Sequence, residues 1–175
     1  MILYHGTNCD VRKPDPRKGH RGTDFGQGFY LTPDMESARN MASLVVAREG
    51  SGRMTINVFE FDEAAAMLAG LKVRTFRGMD EDWIRFVIAN RNFERNASDH
   101  NLDQLYDMVV GFIADDKIRN LIRMYRDGLM TPAMMLSIMK DRPWRVFQYS
   151  FHTMRSVRFL KLREVWHEQR PAVAL

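Results

Sequence analysis

The chain has 175 residues, 45% hydrophobic and 27% charged, which suits one domain spanning 1–175 with a sizeable core and excludes a disordered chain. The formal net charge of +4 is a mild excess. The one cysteine, Cys9, excludes an internal disulfide and a multi-cysteine zinc site.

In chain order, Met1 to Tyr4 reads as a short buried strand that His5-Gly6-Thr7 ends. Asn8 to Gly28, rich in Gly, Pro, Asp, Lys and Arg, reads as a long loop of the functional or disordered kind. Phe29-Tyr30-Leu31 is a second short apolar run. Thr32 is the candidate N-cap of a helix, with Pro33 at its first position and Ala38, Met41, Ala42, Leu44, Val45 and Val46 at helical spacing. Gly50-Ser51-Gly52 stops it. Met54 to Phe61 reads as a strand, Asp62 to Leu71 as a short helical turn, and Lys72 to Phe76 as a strand.

Asp80-Glu81-Asp82 opens a helix through Arg91, with acids at its positive end and Arg91 at its negative end; Trp83, Phe86, Val87 and Ala89 form its core face. After a polar loop, Tyr106 to Ile113 is a strong strand. Asp115-Asp116 reads as the cap of a helix to Gly128, and Thr131-Pro132 starts another to Lys140. Met130, Met134, Met135 and Met139 read as its core filler. Phe147 to Phe151 is strand-like, His152 to Leu160 a short helix, and Lys161 to His167 a final strand. This order predicts an α+β domain and lacks the Gly-x-Gly-x-x-Gly turn of a Rossmann domain.

Three segments carry polar groups suited to a ligand. In His5-Gly6-Thr7 the glycine admits close approach to the backbone, while His5 and Thr7 offer hydrogen bonds to a ribose or amide. Asp24-Phe25-Gly26-Gln27-Gly28-Phe29-Tyr30 is a pinched, flexible turn feeding a strand. Phe29 and Tyr30 there point to opposite faces, one for the core and one as a wall for a planar ring. Gln148, Ser150 and His152 share one face of a late strand and line either a ligand cleft or a solvent edge. His100, His152 and His167 show no metal-ligand spacing, so no metal is expected.

His-Gly-Thr, then Asp-Phe-Gly-x-Gly-Phe-Tyr-Leu-Thr, then Gln-x-Ser-Phe-x-Thr together resemble an uncharacterised bacterial family within the ADP-ribosyltransferase superfamily. The resemblance covers nearly the whole chain, including the Trp83 helix and Tyr106 to Asp116. It implies split β-sheets around a cleft, helices outside, and NAD as substrate. It gives His5 to the ribose beside nicotinamide, Gly6 to the nicotinamide amide, and Tyr30 to ring stacking, with Phe29 as the alternative. Gln148 stands where a glutamate is usual. Within this frame Thr7, Arg21, Asp24, Phe25, Gly26, Gly28 and Ser150 complete the cofactor-binding set, with His5, Tyr30 and Gln148 as the catalytic one.

Breaking the nicotinamide–ribose bond makes an oxocarbenium-like centre that needs a steadied ribose and an oriented leaving group. Gln148 accepts a hydrogen bond but carries no charge and cannot be a general base; Asp24 or an acceptor's own carboxylate could replace it. The phosphates call for Arg12, Lys13, Arg17, Lys18 or Arg21 in the loop. The resemblance therefore implies transfer of ADP-ribose to a macromolecule, or NAD glycohydrolysis, in a toxin or phage-defence protein with a possible antitoxin-like partner.

A second reading is an inactive NAD- or ADP-ribose-binding module. A third is a nucleic-acid-binding protein: 12 Lys/Arg face four Asp/Glu from Lys117 to Leu175, and Trp144, Phe147, Tyr149 and Phe151 could stack on bases. No charged region followed by an apolar run marks a secretory signal, no segment reaches the ~20 apolar residues of a membrane span, and the lone cysteine suits a reducing compartment; a cytoplasmic protein is expected.

Overall fold

The computed structural model describes residues 1–114, 116–139 and 146–168. Asp115, Lys140 and Trp144 of the sequence reading lie outside them. Among the described residues seven strands and five α-helices follow one another: β1 (Ile2–Thr7), β2 (Phe29–Leu31), α1 (Met35–Glu49), β3 (Met54–Phe61), α2 (Glu63–Leu68), β4 (Val73–Thr75), α3 (Glu81–Asn92), β5 (Met108–Phe112), α4 (Asp116–Arg126), α5 (Pro132–Met139), β6 (Phe147–Phe151) and β7 (Leu160–Glu168). The expected α+β class and two sheets are present among the described residues. One sheet has the order β1-β3-β7 and the other β2-β6-β5-β4, with only β4 and β5 parallel. None of the described helices is long and apolar enough to cross a membrane.

The two sheets face each other across Leu3, Phe29, Leu31, Phe59, Phe61, Met108 and Phe151. The other face of the four-stranded sheet is covered by α3, α4 and α5 through Trp83, Phe86, Ile118 and Met135. Trp83 anchors that layer by donating its indole N–H to the Phe112 carbonyl at 3.2 Å. Met130, Met135 and Met139 fill this core as expected, but Met134 is exposed.

Local details differ where tertiary pairing overrides local signals. β1 does not stop before His5-Gly6-Thr7, because the eight-residue β3 pairs with it as far as Thr7↔Thr55. Thr32 does not cap α1. It bridges Tyr4, and Asp34 is the N-cap, accepting from the Ser37 amide at 2.7 Å. The buried stripe of α1 is the narrow set Ala38, Ala42 and Val46, while Met41 and Leu44 are exposed. The expected helix from His152 to Leu160 shrinks to a 3-10 turn at Ser156–Phe159.

Small residues let α1 lie directly on β1. A Cβ at Gly6 would stand 1.8 Å from the Ala38 carbonyl oxygen, a backbone atom that cannot swing aside. Gly6→Ala should therefore cost about 3 kcal/mol or more through forced separation of α1 from β1. Urea denaturation of the variant beside wild type measures that loss.

Candidate functional site

Among the described residues the backbones of β1 and β2 pair at one crossing. Tyr4 and Thr32 exchange both backbone hydrogen bonds, at 2.8 and 3.0 Å. Backbone groups alternate sides along a strand, so Gly6 turns its N–H and C=O the same way as Tyr4. A continuous sheet would pair Gly6 with Tyr30 next. Instead the Tyr30 carbonyl takes the His5 imidazole, with Nδ1 at 2.8 Å, and the strands part. No described residue bonds to the backbone groups of the buried Gly6 or to the Tyr30 amide on this side. Buried backbone groups without protein partners are the ones that water or a ligand completes.

The carbonyl only accepts, so neutral His5 carries its proton on Nδ1 and leaves Nε2 as an acceptor. Burial lowers the His5 pKa, partly opposed by the Tyr30 carbonyl, which keeps the ring neutral near pH 7. The ring also leans on Phe29, with centroids 4.3 Å apart.

The glycine-rich segment is packed rather than flexible. The Tyr30 hydroxyl donates to the Gly26 carbonyl at 2.6 Å, accepts from the Phe25 amide at 3.1 Å and lies 2.8 Å from Thr23 Oγ1. Its pKa is pushed well up, first by burial. Gly26 has φ +88°, and a Cβ at Gly28 would stand 2.7 Å from His152 Nδ1. Gln27 ties the loop down by donating to the Arg17 and Gly19 carbonyls at 2.7 and 2.9 Å. Phe29 and Tyr30 do face opposite sides: Phe29 is buried between the sheets and Tyr30 packs against the helix-side core.

Tyr30, Gln148 and Ser150 share that helix-side face, because Tyr30 pairs with Ser150 and β6 lies between β2 and β5. β6 is thus an interior strand, and its polar face is buried rather than at a solvent edge. Asp24, 6% exposed, closes over it. One oxygen takes the Arg91 guanidinium through Nε at 2.8 Å and through Nη2. The other takes the Ala114 amide and Gln148 Nε2, both at 2.9 Å. Every neighbour of the carboxylate is a donor, and the Phe112 carbonyl also faces Gln148 Nε2 at 3.4 Å. The Gln148 amide is therefore fixed with its NH2 inward, leaving Oε1 without a partner among the described residues.

His152 is fully buried behind this layer. Its Nδ1 faces the Gln27 carbonyl at 2.9 Å and its Nε2 faces Ser150 Oγ at 2.8 Å. The single Ser150 proton lies between that ring and the Val109 carbonyl, also at 2.8 Å. Burial pulls the His152 pKa down to about 4.

The structure thus joins Asp24 to Gln148 and His5 to Tyr30. No described hydrogen bond links His5 directly with Gln148. Phe25 is wholly buried on Phe76 and Phe86. Thr7 is half-buried, with its hydroxyl 3.4 Å from Asn8 Oδ1. Of the loop cations, Arg17 is engaged by Asp15 at 2.8 Å and Arg12 lies 3.9 Å from Asp10. Lys13, Lys18 and Arg21 are exposed, and no described carboxylate pairs with them.

Two partners escape sequence reasoning. Arg91 reads as a helix-end charge, yet its guanidinium crosses to Asp24. Asn57, opposite His5 in β3, holds the loop start by accepting from the Val11 amide at 2.7 Å and donating to the Cys9 carbonyl at 3.2 Å. A fully polar residue inside the apolar run Met54 to Phe61 was the available signal.

These features define an α+β domain whose two sheets part around a histidine and a glycine, beside a buried carboxylate–amide pair. The chain belongs to a family described as Protein of unknown function (DUF3990), which matches residues 1–162 and so includes all of these side chains. No curated protein matches it.

The depressed His152 pKa has a signed consequence. The unfolded chain binds this proton near pH 6.5 and the folded one near pH 4, so stability is full above about 6.5 and falls towards 4. The loss should total about 3 kcal/mol at ~1.4 kcal/mol per pH unit. Denaturation midpoints between pH 7 and 4 should fall less steeply in His152→Asn than in wild type; parallel curves would contradict this.

Proposed function

We propose that this chain is an ADP-ribosyltransferase-like protein that binds NAD where β1 and β2 part and transfers ADP-ribose to a macromolecular acceptor. The observation that carries the reading is the unpaired backbone of Gly6 beside the His5–Tyr30 hydrogen bond. A carboxamide such as that of nicotinamide carries one acceptor and one donor group, which complement an N–H and a C=O on one strand edge. His5 Nε2 and Gln148 Oε1 are acceptors of the kind that ribose hydroxyls require. Lys13, Lys18 and Arg21 offer charge for the pyrophosphate.

In the reaction the nicotinamide–ribose bond breaks, its electron pair neutralises the pyridinium ring, and the acceptor's nucleophile adds to the ribose carbon and loses a proton. Gln148 would steady the ribose as a dipole and supply no negative charge. The Asp24 charge is already shared with Arg91. That pairing favours a second reading, an NAD- or ADP-ribose-binding module with little turnover.

Calorimetry with NAD and chromatography of released nicotinamide test both. Binding with release supports transfer or hydrolysis, and binding without release supports the module. His5→Ala should weaken binding about tenfold, the equivalent of one hydrogen bond to a buried polar site, ~1.4 kcal/mol. A folded wild-type sample that binds no NAD ends both readings.

Gln148→Glu should not restore a charged catalytic group. The new carboxyl would face Asp24 across a 2.9 Å contact that needs a donor, so it keeps a proton and its pKa rises. A raised folded pKa gives stability below the unfolded value that is lost as pH climbs. The variant should be about 3 kcal/mol less stable than wild type at pH 8 and closer to it at pH 4. Nicotinamide release should not increase.

A further inference from the structure

A second feature lies away from the β1–β2 split, on the inner face of the four-stranded sheet. Beyond the cover given by the three-stranded sheet, a cavity of about 650 Å³ opens over β4, β5 and β6. Its floor is Met108, Val110, Phe147 and Tyr149, and Phe61 and Leu71 close its sides. That volume is more than enough for a large apolar side chain and falls within the usual range of ligand sites. Met67 of α2 and Val73 of β4, both on its rim, are 71% and 44% exposed.

Among the described residues β4 is also the edge of its sheet. Lys72 and Phe76 turn their backbone groups to β5: the Lys72 carbonyl accepts from Met108, and the Phe76 amide donates to the Val110 carbonyl at 2.8 Å. By alternation Val73 and Thr75 turn theirs outward, and no described residue bonds to them. The side chains of Val73 and Thr75, in register with Met108 and Val110, stand over the cavity. A strand added beside β4 would hang alternate side chains over the same space. Charge adds a third constraint. Lys72 and Arg77 flank β4, both exposed, and no described carboxylate pairs with either.

We propose that β4 receives an extended segment of a partner protein, which adds as a fifth strand, seats a large apolar side chain in the cavity and sets an acidic residue against Arg77. Unpaired backbone groups in strand register select an extended peptide over a helix. The apolar floor selects a bulky side chain; Glu63 also lines the cavity and disfavours an acid within it, while Lys72 and Arg77 at the two ends of β4 select acids beside the strand.

Panning the folded chain against a display library of random heptapeptides tests this, with anisotropy titration of the selected peptides. The expected result is enrichment of an aromatic or large aliphatic residue with an acidic neighbour, bound one to one. Thr75→Pro removes one outward N–H, spares the bonds to β5, and should weaken binding at least tenfold. Val110→Phe, which fills the cavity floor, should do the same should the proline variant fail to fold. Arg77→Glu should shift the selected flanks from acidic to basic. No enrichment, or selected peptides that bind Val110→Phe and a folded Thr75→Pro as they bind wild type, overturns the proposal. Binding of NAD bears on neither outcome.

Discussion

A single buried carboxylate organises the helix-side half of this molecule. Asp24 sits in the loop before β2, yet its oxygens are claimed by α3 through Arg91, by the end of β5 through the Ala114 amide, and by β6 through Gln148. Removing a charge from water is costly unless donors replace the solvent, and here the donors come from three separate elements. The loop can close over the sheet only in the arrangement that supplies them. Phe25 follows Asp24 inward, and it fits because residue 111 is glycine: a Cβ there would stand 2.9 Å from the Phe25 ring.

That carboxylate also gives a physical reason for glutamine at position 148. An acceptor-only group needs a donor beside it, and a second carboxylate would need a proton to fill that role. The amide donates to Asp24 and keeps an acceptor oxygen without a partner among the described residues. On the NAD reading, the chemistry of the position is thereby shifted from charge towards orientation.

The split between β1 and β2 follows from a different conflict. β1 is held along its length by β3, while β2 is held by β6, and among the described residues the Tyr4–Thr32 bridge is their one backbone pairing. Past that bridge each strand follows its own sheet. His5 spans the opening with its ring, and its partial burial against Phe29 favours the neutral form, which leaves one ring nitrogen as an acceptor. α1 seals the far side by lying on Gly6, so the same glycine serves close packing on one face and open backbone at its edge.

The sequence by itself determined most of the elements, since apolar runs, breakers and acidic caps depend on neighbours a few residues apart. It marked the strand from Phe147 to Phe151, the helix from Asp80 and the opposite facing of Phe29 and Tyr30. It also grouped His5, Tyr30 and Gln148 as one candidate set. Tertiary structure alone decided what those polar residues touch. Arg91 lies 67 positions from Asp24, and Gln148 lies 124 positions away, separations across which no local pattern carries information. It also decided that β6 is an interior strand, that the glycine loop is packed down by Tyr30 and Gln27, and that β4 is left as an edge. Hydrogen-bond donors and acceptors are legible in a sequence, but their pairing depends on which surfaces the core brings together.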